Sequence, residues 1–289
     1  MGSQDESNIP FTKMTGSGND FVVIDHRERL LAEDEIASFT RAVCRRRLGL
    51  GADGIILIER ATSPSVHFRW RYFNADGSAG EMCGNGAMCG ARFAVRHGIA
   101  PASCGFETEA GVVEAEVIGA GHSPSVEIRL ADAGLPSVPV AISIEGRTNS
   151  FAPILVGVPH VVTVVEDADA FANGAEFARW SRAVRMHETF APAGTNVNAI
   201  HVIDRHTIRM RTWERGVEAE TLACGTGAVA SAIVGAVAGL VTPPIAVVVS
   251  SGRTLTVRFS TKADRIADIR LAGEARFVAT GVLDPEGLA

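Results

Sequence analysis

Two tetrapeptides, Cys83-Gly84-Asn85-Gly86 and Cys224-Gly225-Thr226-Gly227, decide how this chain is read. Each follows a strand-and-turn region and leads into a helical run, at 87–97 in the first case and 228–240 in the second. They lie almost half a chain length apart. The likeness extends outward, since Glu81-Met82 parallels Leu222-Ala223. Repetition at that distance is the mark of a duplicated unit.

The segments around the tetrapeptides repeat one grammar. In the first half, strands are expected at 21–25, 55–58, 66–73, 112–117 and 126–130. A helix is expected over 33–47, where Ile36, Phe39, Thr40 and Val43 fall at helical spacing. Asn74-Ala75-Asp76-Gly77-Ser78 is a turn. In the second half, strands are expected at 154–158, 161–165, 246–250, 253–259, 266–271 and 276–278. A helix is expected over 175–187, with Phe177, Trp180 and Val184 on one face, and 196–203 pairs with 207–212 as a hairpin. The expected fold class is α/β (α+β). Two pseudo-symmetric domains cover 1–132 and 133–273, with the last strand, about 274–289, returning to the first. The boundary is placed at Ala131-Asp132-Ala133-Gly134, where the strand pattern stops and prolines follow. The duplication predicts an active site in the cleft between the domains, with both cysteines at it.

Composition limits the function classes. The chain has 289 residues, 46% of them apolar and 21% charged, which excludes a disordered chain and is enough for real cores. Aromatics are 6%, with a single Tyr, so those cores are aliphatic. A net charge of −6 with no basic run argues against a nucleic-acid partner. The stretch 221–252 carries no charge, but it is rich in Ala and Gly and is cut by Pro243-Pro244. It reads as a buried helix followed by a buried strand, not as a membrane span. There are 5 cysteines, an odd number, behind a polar and acidic start. That predicts no disulfide framework, a reducing compartment and a cytoplasmic location. No pair has C-x-x-C spacing, so no metal site is expected.

Cys44, Cys89 and Cys104 read as packing residues. Cys83 and Cys224 do not. A cysteine at the first turn of a helix sits in the field of the positive dipole end, which favours thiolate. The glycines behind it let backbone N–H groups approach a carboxylate. Two such turns can place a thiolate on one face of a carbon and a thiol on the other. One removes a proton and the other returns one, inverting the centre without metal or cofactor. Helix N-termini aimed at the α-carboxylate stabilise the charge that develops. With no substrate between them, two such thiols are also placed to form a disulfide on oxidation. A dinucleotide reading of Gly225-Thr226-Gly227-Ala228-Val229-Ala230 fails, because 245–260 contains no Asp or Glu to meet a ribose.

At these residues the chain resembles the diaminopimelate epimerases. The resemblance runs through Phe11-Thr12-Lys13-Met14, Gly18-Asn19-Asp20-Phe21, the turn at 74–78, the two cysteine motifs and Gly157-Val158-Pro159-His160. It continues in Ala193-Gly194-Thr195-Asn196-Val197-Asn198 and Glu214-Arg215-Gly216. It implies two similar domains, each a mixed sheet wrapped around a central helix. The implied activity is interconversion of LL- and meso-diaminopimelate, for lysine and peptidoglycan synthesis, by a cofactor-independent homodimer. It implies Cys83 and Cys224 as the bases. Asn19, Asn74, Gly84, Asn85, Asn196, Glu214, Arg215, Gly225 and Thr226 would bind substrate, and His160 and Glu214 would support the reacting centre. Read without the resemblance, Asn19 and Asn74 are turn residues, His160 is structural, and Glu214 beside Arg215 is a surface ion pair. Three positions depart from the family's pattern: Val158 where many members have Asn, Gly54 where some have Gln, and Met88 where Arg is common. Val158 and Gly54 keep open a two-cysteine racemase of another amino acid. A non-catalytic amino-acid-binding relative is the further alternative, but a binder needs neither cysteine.

Overall fold

The computed structural model describes residues 9–119, 124–166 and 173–288. The chain divides into two compact units, Met1–Ile128 with Gly273–Ala289, and Arg129–Ala272. The sequence placed these divisions at 132/133 and 273/274.

In the first unit the chain runs β1 (Ile9–Gly16), β2 (Asn19–Asp25), α1 (Ile36–Cys44), β3 (Gly54–Arg60), β4 (Phe68–Asn74) and β5 (Ala79–Gly80). It continues through α2 (Gly84–Arg96), β6 (Ser103–Thr108), β7 (Gly111–Ile118) and β8 (Ser125–Arg129). β1 is antiparallel to β2, β2 parallel to β3, β3 antiparallel to β4, and β4 parallel to β6; β6–β7 and β7–β8 are antiparallel.

The second unit runs β9 (Ala133–Gly134), β10 (Val140–Ile144), β11 (Arg147–Val156), β12 (Val158–Val164), α3 (Gly174–Arg185), β13 (Asn196–Asp204) and β14 (Thr207–Glu214). Then come β15 (Ala219–Thr221), α4 (Gly225–Val237), β16 (Ile245–Val248), β17 (Thr254–Thr261) and β18 (Arg265–Glu274). β11 is antiparallel to β12, β12 parallel to β13, β13 antiparallel to β14 and β14 parallel to β16; β16–β17 and β17–β18 are antiparallel. The succession of pairings is the same as in the first unit, which is the topological form of the duplication. The last strand, β19 (Arg276–Leu283), pairs with β1. Buried Arg92 of α2 ties this strand down, donating to the Ala275 carbonyl and lying 5.0 Å from the Phe277 ring centroid.

Alternation explains the layers. In β3, Ile55 and Leu57 join Val22, Ile24 and Phe73 in a core closed by Ile36, Phe39 and Val43 of α1. Their neighbours Ile56 and Ile58 point the other way, against Gly86 and Gly90 of α2. The strand is therefore buried on both faces and reads as an unbroken apolar run. The second unit repeats this. Phe177, Trp180 and Val184 of α3 pack on Phe151, Val161, Val197 and Ala199. Burying each such side chain is worth about 1.5–3 kcal/mol. The inner helices α2 and α4 are small-residue helices, fully buried at Ala87, Gly90 and Ala94 and at Ala228, Ala230 and Ala232. Only short side chains let a sheet close around them. The uncharged stretch 221–252 thus holds α4 and then β16, and among the described residues no helix is long and apolar enough to cross a membrane.

The structure departs from the sequence expectation in its helix limits. α1 is shorter than 33–47 because residues 33–35 form a turn and the chain leaves helical geometry at Arg45. α2 and α4 each begin three residues earlier than expected, since both Gly-x-Gly segments form the first helical turn. β1, β5, β6, β9, β10 and β15 had no counterpart in the expectation. The inward residues of β1 are Ile9, Thr12, Met14 and Gly16, too mixed to show as a strand pattern.

Candidate active site

Cys83 and Cys224 are the N-caps of α2 and α4, with closely similar backbones: φ −140° and ψ 112° at Cys83, φ −127° and ψ 113° at Cys224. Each therefore stands one residue before its helix, where the expected helix starts at 87 and 228 put it four residues before. Gly84-Asn85-Gly86 and Gly225-Thr226-Gly227 supply the N–H groups that a helix start leaves unpaired. Cys83 is half-buried and Cys224 is buried.

At the start of α2, the Asn85 amide donates to Asn19 Oδ1 at 2.7 Å, and Asn19 Nδ2 donates to Asp53 Oδ2 at 3.0 Å. Asp53 is held in turn by Arg46 at 2.8 Å, which also reaches Asp20 at 2.7 Å. Lys13 completes the cluster with an ion pair to Asp20 at 2.7 Å. Burial would raise the Asp20 carboxyl, but hydrogen bonds from Arg46 and Lys13 outweigh it and hold it below the usual carboxylate range. Asn85 Oδ1 is buried with no hydrogen-bond partner, an acceptor held at the helix start. Asn74 is used in its own turn, donating to Ser78 Oγ at 3.1 Å. The space above Gly54 is taken by Tyr72: a Cβ there would lie 2.5 Å from the Tyr72 ring. Met88 is fully buried within α2.

At the start of α4 the contacts are denser. The Gly227 N–H donates to Cys224 Sγ at 3.3 Å, and the Thr226 hydroxyl lies 3.6 Å from the same sulfur. His160 Nε2 is 3.0 Å from Thr226 Oγ1. Glu214 accepts from Thr221 Oγ1 at 2.6 Å, and its charge acts on the Cys224 thiol. Asn196 Oδ1 accepts the Arg215 backbone N–H at 2.7 Å. In this unit the structure brings together Cys224, Thr226, His160 and Glu214, and separately joins Asn196 to Arg215.

Electrostatics correct one expectation. The helix start was expected to favour thiolate, yet the Cys224 thiol is pushed well above its ordinary value. Burial is the main cause and the Glu214 charge adds to it, while Thr226 and the Gly227 N–H pull the other way without offsetting them. Cys224 is thus a thiol at rest. His160 is driven down to about 3 by burial and by the positive Arg215, so it is a neutral imidazole near neutral pH. The packing cysteines are inert thiols: burial pushes Cys104 up to about 11 and Cys44 up to about 12, and raises Cys89 further.

Sequence reasoning passed over Asn198 and Thr212. The Thr212 hydroxyl donates to Asn198 Oδ1 at 2.9 Å, and Asn198 Nδ2 lies 3.1 Å from His160 Nδ1. The signal was there, because Asn196 and Asn198 are two apart on a strand and share the face that meets α4.

The family model for diaminopimelate epimerase matches residues 11–134 and 153–278. A diaminopimelate epimerase of Aquifex aeolicus is 43% identical over 287 residues, 97% of this chain and 99% of that protein. One of Archaeoglobus fulgidus is 40% identical, over 84% of this chain and 87% of that one. Among solved structures, a probable proline racemase from Agrobacterium radiobacter K84 is similar with a TM-score of 0.69 at 14% identity, over 97% of this chain and 96% of that one. A hydroxyproline epimerase from Agrobacterium vitis gives 0.68 at 16% identity, over 99% and 96%. At such identities these two show a shared fold. With a family model covering most of both halves and relatives at this identity over nearly full length, the chain belongs to the diaminopimelate epimerase family.

Proposed function

We propose that this protein is an isomerase that interconverts LL- and meso-2,6-diaminopimelate by proton transfer at the α-carbon, with Cys83 and Cys224 as the two bases. The observation that carries this reading is the pair of cysteines capping equivalent helices of a duplicated fold. In the turnover that begins with Cys224 as thiol, Cys83 is the base. Its thiolate takes the α-proton, the electron pair is held on the carbon and its carboxylate, and Cys224 delivers its proton to the opposite face. The two residues end with their protonation states exchanged, and atoms and charge balance. Inversion requires the two sulfurs to act on opposite faces of one carbon.

The α-proton is very weakly acidic, so the developing charge must be stabilised in place. The N–H groups of Gly84 and Asn85, and of Gly225 and Thr226, suit the α-carboxylate. Asn19, Asn74, Asn196, Glu214 and the Arg215 backbone are the remaining substrate-binding residues of this reading. A homodimer that acts on a small amino acid in the cytoplasm, within lysine and peptidoglycan-precursor synthesis, belongs to the same proposal.

Gly54 and the exposed Val158 are the positions that favour a second reading, a racemase of another amino acid. A panel of L-amino acids in deuterated water separates the two. Exchange of the α-hydrogen is expected with LL-diaminopimelate above all others. Exchange of a different amino acid without exchange of diaminopimelate would reverse the choice.

A further inference from the structure

The duplicated register pairs each residue beneath α2 with one beneath α4. Phe21 stands opposite Gly54 on neighbouring strands, as His160 stands opposite Asn196. Ile56 faces Tyr72 as Asn198 faces Thr212. Thus His160 and Asn198 occupy the places that Phe21 and Ile56 hold in the first unit. The glycines above agree: a Cβ at Gly86 would meet Ile56 Cδ1, and one at Gly227 would meet Asn198 Oδ1 at 2.6 Å. At these two places the first helix start meets Phe21 and Ile56, which cannot pass on a hydrogen bond. The other rests on a chain of them.

The direction of that chain is fixed by chemistry. Asn198 Nδ2 lies 3.1 Å from the Val161 carbonyl, which can only accept, so this end of the amide is the donor. It therefore donates to His160 Nδ1, which must be bare. In a neutral imidazole the other nitrogen then carries the hydrogen, so His160 Nε2–H donates to Thr226 Oγ1. With its oxygen accepting, the Thr226 hydroxyl turns its own hydrogen to the sulfur 3.6 Å away.

We propose that Asn198 is a positioning residue for Cys224: by donating to Nδ1 of His160 it holds the imidazole in the Nε2–H tautomer, and so commits the Thr226 hydroxyl to donate to Cys224 Sγ. The thiolate form of Cys224 is then held by the Gly227 N–H and the Thr226 hydroxyl, while the Glu214 charge opposes it and favours the thiol. The charged groups acting on this pair are Glu214 on Cys224 and Arg215 on His160. Other strands packed on α4 present buried aliphatic residues, such as Ile154 and Val156 of β11 and Leu255 and Val257 of β17.

The inference rests on the proposed reaction, but its test is separate. Long-range 1H–15N spectra of the full-length protein labelled with 15N-histidine read the tautomer without any substrate, and His160→Gln identifies the signal. The expected result is a bare Nδ1 and a protonated Nε2, unchanged between about pH 5 and 8. A protonated Nδ1, or an imidazole that titrates in that range, would overturn the proposal. Asn198→Asp replaces a donor with an acceptor and should reverse the tautomer. It is expected to lower kcat about tenfold with little change in KM, and, in the direction where Cys224 is the acid, to move the alkaline fall of kcat/KM to higher pH. Thr226→Val should do the same and Thr226→Ser should restore both, which keeps the test open if Asn198→Asp does not fold. Unchanged kcat and pH profile in Thr226→Val would overturn the proposal. Absence of α-hydrogen exchange in the unaltered protein would defeat the reaction reading and leave the tautomer result standing.

Discussion

His160 is the residue whose environment differs most from its reading in isolation. As a histidine after a proline it reads as structural. In the fold it is a buried neutral imidazole between an amide and a hydroxyl, with Arg215 adding to the pressure against a second proton. That has a consequence for stability. The unfolded chain takes a proton on this ring below its ordinary 6.5, and the folded protein does not until about 3. The unfolded state therefore binds more protons in that window, and folding stability falls as pH falls from 6.5 towards 3. Each pH unit lost there removes about 1.4 kcal/mol. Denaturant melts at pH 7 and pH 5 should show a fall for the unaltered protein that exceeds that of His160→Gln by about 2 kcal/mol. Equal falls would mean that the ring is not held neutral. At this scale the sequence was informative about residue types and poor about partners. Cysteine before Gly-x-Gly signals by itself that a helix follows. The Glu214 charge acting on a thiol, or Tyr72 lying over Gly54, depends on strand register, which no local pattern displays.

At the scale of elements, the two inner helices show both what was legible and what was not. Their existence followed from the helical run behind each Cys-Gly-x-Gly, uncharged in the second but carrying Arg92 and Arg96 in the first. Their starts did not, because Gly-Asn-Gly and Gly-Thr-Gly have poor helix propensity and read as turns. Tertiary packing overrides that propensity. Gly227 sits where a side chain would collide, its Cβ position lying 2.6 Å from Asn198 Oδ1 and 3.1 Å from Cys224 Sγ. Asn198 Oδ1 is pinned by Thr212 and cannot move aside easily. Gly227→Ala is therefore expected to cost about 1–3 kcal/mol by overpacking, lowering Tm by roughly 2–10 °C. Gly174→Ala, at the start of α3 with open space around its Cβ position, is the matched control and should leave Tm unchanged or slightly raised. Thermal melts of both variants decide this. A Gly227→Ala protein as stable as its control would show that the α4 start is not packed as described. The outer helices were easier to read because they are amphipathic. Phe177, Trp180 and Val184 fall on one face, and the structure buries that face against the sheet.

For the whole molecule, one repeated tetrapeptide carried most of the fold. It implied two copies of one unit, and the strand pairings repeat in the same succession in both. Legible from the sequence were the duplication and the return of the last strand; the cores, expected to be aliphatic, also bury Trp70, Phe21, Phe68, Phe106, Phe151 and Phe177. Hidden from it was the divergence between the copies. The second unit places His160 and Asn198 where the first has Phe21 and Ile56, so two equivalent cysteines sit on unlike supports. A symmetric scaffold with unsymmetric surroundings suits a reaction whose two bases must hold different protonation states at once. The central claim is that these cysteines act as a pair on one carbon, and solvent-hydrogen incorporation tests it most directly. LL-diaminopimelate is incubated in deuterated water with the unaltered protein, with Cys83→Ala and with Cys224→Ala, and early product is analysed by mass spectrometry. Meso product carrying one solvent deuterium at the inverted carbon is expected, with its formation falling at least about a hundredfold in each variant. Product formed without solvent deuterium, or formed at an undiminished rate by either variant, would contradict it.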